Sequence, residues 1–98
     1  MLLRQLLVQL PDRPGSLGQV TTLLGRLGVD IRQMRVLERD GLYATDEFAV
    51  AVPGAVVERT LPALIEDVEG VRVISMWPIE DVDSGWWPAP SSAEIASR

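Results

Sequence analysis

The spacing of apolar residues changes from alternating to helical between the first and second predicted elements. Residues 2–10 are apolar with polar residues interspersed, and Pro11 ends this predicted strand. From Pro14, which suits a first helical turn, apolar residues recur at helical spacing as far as Gly28, which favours a left-handed C-cap. The apolar faces consist of Leu6, Val8 and Leu10 in the strand and of Leu17, Val20, Leu24 and Leu27 in the helix.

Two further alternating runs, residues 29–39 and 42–52, surround an Asp40-Gly41 pair and predict a β-hairpin. A bulge in either run would shift the register by one residue. A two-residue turn predicts the pairs Ile31–Val50, Gln33–Phe48, Arg35–Asp46 and Leu37–Ala44. This register directs Phe48, Val50 and Val52 to the core, and it makes Arg35 and Asp46 a structural ion pair on the helix-facing side. It also leaves an open, apolar sheet face of Leu3, Leu7, Met34, Val36, Ala49 and Ala51.

A second helical pattern lies between Pro53-Gly54 and Gly70, with Val57, Leu61, Leu64, Ile65 and Val68 at helical spacing. Because Pro62 has no N–H to donate, this helix either begins near Thr60 as N-cap or is kinked at the proline. Residues 71–79 predict a last strand, stopped by Pro78. Residues 80–98 contain Pro, Ser and acidic residues without a clear period.

The order strand–helix–strand–strand–helix–strand predicts an α+β fold, the ferredoxin-like βαββαβ sandwich. In this fold a four-stranded antiparallel sheet carries both helices on one face. The 98 residues fit one domain, which we assign to residues 1–79, and residues 80–98 are a Pro/Ser/acidic tail or linker. A domain this small buries a modest core, so we expect it to form a homodimer or a higher homo-oligomer.

The composition argues against several classes of function. A net charge of −5 argues against a nucleic-acid partner, and no apolar run approaches the roughly 18 residues that a membrane span needs. A cytoplasmic protein is the expectation. The chain has neither His nor Cys, so neither a Ser–His nor a Cys–His catalytic arrangement is possible, and we expect no enzyme, no metal and no cofactor.

The stretch DRPGSLGQV, residues 12–20, joins the first predicted strand to the first helix and is the candidate binding site. The first turn of a helix exposes unpaired N–H groups and a partial positive charge, which suit a carboxylate. Gly15 lets a ligand approach the backbone, and Asp12 can accept hydrogen bonds from an α-ammonium group. In the structural alternative, Asp12 caps the helix, Arg13 is a solvated charge, and Gly15 and Gly18 permit close packing.

This turn, together with GVDI at residues 28–31, resembles the ACT domain, a small regulatory module that binds amino acids. The resemblance covers about residues 2–79. It implies that two copies pair their sheets and that a free amino acid, or a similar small anionic or zwitterionic ligand, binds between subunits. The ligand would lie near the first turn of one copy and the strand after the first helix of the other. Carried over residue by residue, the ligand-binding positions are Asp12, Arg13, Pro14, Gly15, Ser16, Leu17, Asp30 and Ile31.

The alternative to such a regulatory domain is a pure dimerisation module whose turn binds nothing. An acylphosphatase-like enzyme of the same fold would need an Asn to orient water, and the chain has no Asn. The acidic run at Glu80 fails as a calcium loop because its Gly comes one position early. Trp86 and Trp87 have large apolar area, and we expect them to pack on the open sheet face. The alternatives are that they pack on a partner subunit or mark the start of a following domain.

Overall fold

Four antiparallel strands form one sheet in the order β2-β3-β1-β4 in the computed structural model, which describes residues 1–79. The predicted tail or linker, with Glu80, Trp86 and Trp87, lies outside the described residues. The elements are β1 (Leu2–Pro11), α1 (Ser16–Arg26), β2 (Asp30–Arg39), β3 (Tyr43–Val52), α2 (Ala55–Glu66) and β4 (Arg72–Pro78). The predicted ferredoxin-like βαββαβ sandwich is confirmed.

The core lies between the sheet and the two helices. Phe48 of β3 pairs with Leu6 of β1, and both side chains are fully buried. The predicted core faces of β1 and β3 are confirmed, because Leu6, Val8, Leu10, Phe48, Val50 and Val52 all belong to this core. The helices contribute Val20 and Leu24 from α1 and Leu61 and Ile65 from α2.

The first helix begins later than the sequence predicts, and the structure decides between the two alternatives for the second. α1 starts at Ser16, so Pro14 lies in the turn before it rather than in the first helical turn. α2 starts at Ala55 and runs through Pro62, so the predicted start near Thr60 is wrong. The Thr60 hydroxyl does not cap a helix, because it donates within α2 to the carbonyl oxygens of Val56 and Val57.

The C-terminus of α1 has the predicted glycine cap. Gly28 has a φ of 76°, in the left-handed region. Its N–H donates to the Gly25 carbonyl at 3.1 Å, and the Val29 N–H donates to the Leu24 carbonyl at 2.9 Å. These two bonds form a Schellman motif, which turns the chain directly from α1 into β2.

The β2–β3 hairpin departs from the predicted register. Ile31 pairs with Val50 as predicted, but bulges between Ile31 and Gln33 and between Val36 and Glu38 shift the later pairs. Gln33 therefore pairs with Ala49, and the predicted pairs Gln33–Phe48, Arg35–Asp46 and Leu37–Ala44 are wrong. Each bulge adds one residue to β2 without a residue opposite it on β3.

The hairpin turn is also displaced by one residue from the predicted Asp40-Gly41 pair. The Asp40 N–H donates to the Tyr43 carbonyl at 3.0 Å, so Gly41 and Leu42 are the two central residues. Only Gly41 of these two has a positive φ, as in a type II′ turn. The Asp40 carboxylate accepts hydrogen bonds from the N–H groups of Tyr43 and Leu42, and these bonds lower the pKa of Asp40.

The shifted register exchanges side chains between the two faces of the sheet. Met34 pairs with Phe48 and Val36 with Asp46, so both apolar side chains lie on the helix-facing side. The prediction that they belong to the open face is therefore wrong. Arg35 is on the open face, where its Nε donates to a Glu47 carboxylate oxygen at 2.7 Å. Asp46 consequently lacks the predicted Arg35 partner.

Candidate ligand-binding site

The turn between β1 and α1 is held by backbone hydrogen bonds on both sides. The Asp12 N–H donates to the Leu42 carbonyl at 2.9 Å, which ties the turn to the β2–β3 hairpin. Gly15, with a φ of 90°, precedes α1, and its carbonyl accepts the Gln19 N–H at 3.0 Å. α1 spans 11 residues and begins at this turn, so its N–H groups point toward the turn with the positive end of the helix dipole.

The Asp12 carboxylate does not cap α1. Within residues 1–79, no side chain forms a hydrogen bond that caps this helix. Asp12 instead accepts two hydrogen bonds from Arg39 at the end of β2, from Nη2 at 2.8 Å and from Nε at 3.2 Å. The structural alternative of a capping Asp12 is therefore not what the structure shows. The hydrogen bonding of Arg39 to Asp12 is the main reason that the pKa of the Arg39 guanidinium is raised, and the negative charge of Asp12 is the second.

A pocket of about 220 Å³ lies beneath this turn. Four of the predicted site residues line it, namely Asp12, Arg13, Ser16 and Leu17. The other polar and apolar walls include Val36 and Arg39 from β2 and Asp46 from β3. Two acidic and two basic side chains thus surround a space of small-molecule size.

Asp46 is the unusual member of this pocket. The residue is only 2% exposed, and its Oδ1 has no hydrogen-bond partner among the described residues. Burial raises the pKa of the Asp46 carboxyl because desolvation disfavours the charged form, and the nearby Arg39 charge opposes this rise. Buried polar atoms in native structures are nearly always hydrogen-bonded, so an unpaired one needs an explanation.

Asp30 and Ile31 lie far from the turn within one chain. Asp30 pairs with Ala51, whereas the turn follows Pro11, which pairs with Tyr43 at the other end of the sheet. At about 3.4 Å per residue the separation is roughly 25 Å. Asp30 forms an exposed ion pair with Arg32 at 2.7 Å, and the half-buried Ile31 packs against the core.

The remaining predicted residues, Pro14 and Gly15, are exposed and do not line this pocket. Gly15 lines a larger groove of about 640 Å³ between α1 and the segment that follows α2. Every residue of that groove is exposed or half-buried, so no buried polar group converges on it. We therefore place the candidate site in the smaller pocket.

Sequence reasoning missed Asp46, Arg39 and Val36 as pocket residues. The sequence feature that could have indicated them is the alternation of apolar Met34 and Val36 with polar Gln33 and Arg35. Placing both apolar residues on the core face requires a bulge, and that bulge turns Arg35 away from Asp46.

Residues 1–79 contain no group of three or more His, Cys, Asp or Glu side chains positioned to hold a metal ion. None of the helices described is long and apolar enough to cross a membrane.

The family model of the ACT domain matches residues 4–70, and the chain therefore belongs to the ACT domain family. The resemblance seen in the turn and in GVDI is thus confirmed. Domains of this family are regulatory, generally non-catalytic and generally bind amino acids. A comparison with curated proteins gave no match.

Solved structures support the same fold. An unknown protein from Galdieria sulphuraria has a TM-score of 0.66 at 16% identity, over 84% of this chain and 47% of the other. A putative glycine cleavage system transcriptional repressor has a TM-score of 0.65 at 24% identity, over 84% and 48%. The ACT domain from GTP pyrophosphokinase of Chlorobium tepidum has a TM-score of 0.59 at 19% identity, over 80% and 97%. The chain spans about half the length of the first two of these proteins.

Proposed function

We propose that this chain is a regulatory domain that binds a free amino acid, or a similar small zwitterionic ligand, and acts as a homodimer or larger homo-oligomer. It performs no catalysis in this proposal. The observation that carries the proposal is the pocket of about 220 Å³ beneath the first turn of α1, with the buried, unpaired carboxylate oxygen of Asp46 in its wall. Membership of the ACT family supports the same class of ligand.

The pocket offers complements to both charges of an amino acid. The N-terminal turn of α1 and the Arg13 side chain favour a carboxylate, because both carry positive charge. Asp12 and Asp46 favour an ammonium group, because both are hydrogen-bond acceptors on the pocket wall.

The proposed regulation requires a second copy of the chain. Asp30 and Ile31 lie roughly 25 Å from the turn, by the rise of about 3.4 Å per residue, so they reach a ligand there only from a partner subunit. A ligand that contacts both subunits favours the arrangement that completes its site. In this way ligand concentration would control the pairing of two copies.

The test is thermal unfolding of the purified protein, alone and with each common amino acid at millimolar concentration. A ligand at about 100 times its Kd adds roughly 2.7 kcal/mol to the free energy of unfolding. For a domain of this size each kcal/mol raises Tm by about 4–8 °C. A rise with one amino acid or a related group supports the proposal, and no rise with any of them contradicts it.

Asp30→Asn is a sharper probe of the shared site than a bulky substitution of Gly15. Because Gly15 has a φ of 90°, any other residue there strains the turn even though a Cβ would meet no atom within 4 Å. Asp30 is exposed, so its substitution should leave folding intact. Weaker ligand binding by Asp30→Asn, with sedimentation showing an unchanged dimer, supports a site between subunits.

One observation favours the second candidate, a dimerisation module that binds nothing. Asp12 and Asp30 already have Arg39 and Arg32 as partners within the chain, so neither needs a ligand. A concentration-dependent dimer with no thermal response to amino acids would support this alternative.

A further inference from the structure

Asp46 combines three properties that rarely occur together in a structural residue. It lies on the helix-facing side of β3, it is 2% exposed, and its Oδ1 has no hydrogen-bond partner within residues 1–79. A buried acceptor without a donor destabilises the free protein, since its lost hydration is not replaced. Asp46 also lines the pocket beneath the turn, so a ligand there lies next to this carboxylate and can supply the missing donor once Oδ1 turns toward the pocket.

The charges around Asp46 define what that donor should be. The charged groups lining the pocket with it are Arg39 of β2 and Asp12 and Arg13 of the turn. The Arg39 guanidinium is already held by both oxygens of Asp12. Arg39 is therefore committed to Asp12, and Asp46 Oδ1 is the acceptor that has no cation bonded to it.

We propose that Asp46 accepts the primary ammonium group of the ligand, and that the pocket selects α-amino acids with an unsubstituted amino group. This inference rests on the proposed function and deepens it by naming the recognition group. The carboxylate of the same ligand lies toward Arg13 and the first turn of α1. Asp46 is thus a specificity-determining residue on a strand that the sequence-based site did not include.

The pocket is large enough for the part of an amino acid that Asp46 and Arg13 would bind. Water occupies about 30 Å³ per molecule in the liquid, so about 220 Å³ has room for about seven non-hydrogen atoms, which covers the ammonium group, Cα and the carboxylate. The apolar walls formed by Val36 and Leu17 would contact the start of the side chain.

The experiment compares two ligands against two neighbouring carboxylates by calorimetry. The ligands are the amino acid that gives the largest thermal shift and its analogue with hydrogen in place of the amino group. The variants are Asp46→Asn and, as matched control, Glu47→Gln on the opposite face of the same strand. Wild type should prefer the amino acid over the analogue by about 10- to 150-fold, the range expected for a charge-assisted hydrogen bond.

Asp46→Asn should bind the amino acid about 10- to 150-fold more weakly and should lose the preference over the analogue. Glu47→Gln should keep both affinity and preference. The wild-type affinity should fall as pH is lowered through the raised pKa of Asp46, because a protonated carboxyl no longer attracts an ammonium group. The affinity of Asp46→Asn should be flat over the same range.

The failures of the two proposals give different results. If wild type binds an amino acid but Asp46→Asn keeps its affinity and preference, the role of Asp46 is wrong and the proposed function stands. If wild type discriminates poorly against the analogue, the ammonium is not the group recognised, whatever the variant does. If wild type binds no amino acid, both proposals are wrong.

Discussion

Asp46 and Glu47 are adjacent acidic residues on β3 that are almost equally buried, yet their surroundings differ completely. Asp46 is 2% exposed and Glu47 is 8% exposed. Glu47 lies on the open face, where its carboxylate accepts hydrogen bonds from the Gln5 amide and from Arg35 Nε. Asp46 lies on the helix-facing side, and its Oδ1 accepts none within the described chain. The Glu47 carboxylate thus stabilises the sheet through its hydrogen bonds, whereas Asp46 Oδ1 still has an unused capacity to accept one.

The partners of Glu47 connect all four strands across the open face. Arg35 is on β2, Glu47 on β3, Gln5 on β1 and Trp77 on β4. Gln5 donates its amide N–H to Glu47 and accepts with its Oε1 from the Trp77 indole N–H. Each side chain of this network thus has a hydrogen-bond partner, which is the condition under which a buried charge is tolerated.

The largest effect should follow from breaking that network. Glu47→Gln removes the charge that pairs with Arg35, and hydrogen bonds to charged groups contribute about 1.5–3 kcal/mol. We expect the free energy of unfolding to fall by about 2 kcal/mol, measured by urea denaturation at pH 7. A loss below a few tenths of a kcal/mol would mean that the network does not stabilise the sheet.

A smaller effect of opposite sign should follow at Asp46. Asp46→Asn removes a desolvated charge that lacks a full set of partners, so we expect the ligand-free protein to gain about 1 kcal/mol at pH 7. The pKa of the Asp46 carboxyl is raised in the folded protein. At low pH the carboxyl is therefore protonated and does not destabilise the fold, and the free energy of unfolding falls as the carboxyl loses its proton with rising pH.

The gain in the free energy of unfolding from Asp46→Asn should accordingly be absent below pH 3.8, the ordinary pKa of an Asp carboxyl. It should grow as pH rises through the higher pKa of Asp46 in the folded protein. Urea denaturation of wild type and variant across this range provides the measurement. A gain that is constant with pH would show that the Asp46 charge is not what destabilises the free protein.

The smallest effect should be that of Arg39→Ala, which removes the ion pair with Asp12. The Arg39 side chain is 66% exposed, and exposed ion pairs contribute little to stability. We expect a loss in the free energy of unfolding that is smaller than the loss in Glu47→Gln and that shrinks in 1 M salt, where charges are screened within about 3 Å. A large loss that does not depend on salt would instead indicate that Arg39 packs as part of the core.

Most of the fold was predictable because its signals are local. Alternation in Leu6, Val8 and Leu10, the helical stripe around Val20 and Leu24, and the glycine cap at Gly28 each depend on a few neighbouring residues. The start of α2 was not predictable from Pro62 alone. A proline inside a helix costs several kcal/mol, and only the tertiary packing of Leu61 and Ile65 shows that this cost is met.

The candidate site was only half predictable, because a strand register is not a local property. The turn residues Asp12, Arg13, Ser16 and Leu17 could be named from DRPGSLGQV, and they line one pocket. Their contact with a ligand remains a prediction. Asp46 could not be recognised while Arg35 was assigned as its partner, since a one-residue slip moves every side chain to the other face.

The strand order also determines when the edges of β1 are paired during synthesis. β1 is made first during synthesis, yet it pairs with β4, which follows it by more than 60 residues. At 5–20 residues per second one edge of β1 stays open for about 3–12 s before β4 exists. All residues that line the pocket lie between Leu10 and Asp46 and are made well before that. All pocket-lining residues have therefore been synthesised while β1, an inner strand of the final sheet, still has one unpaired edge.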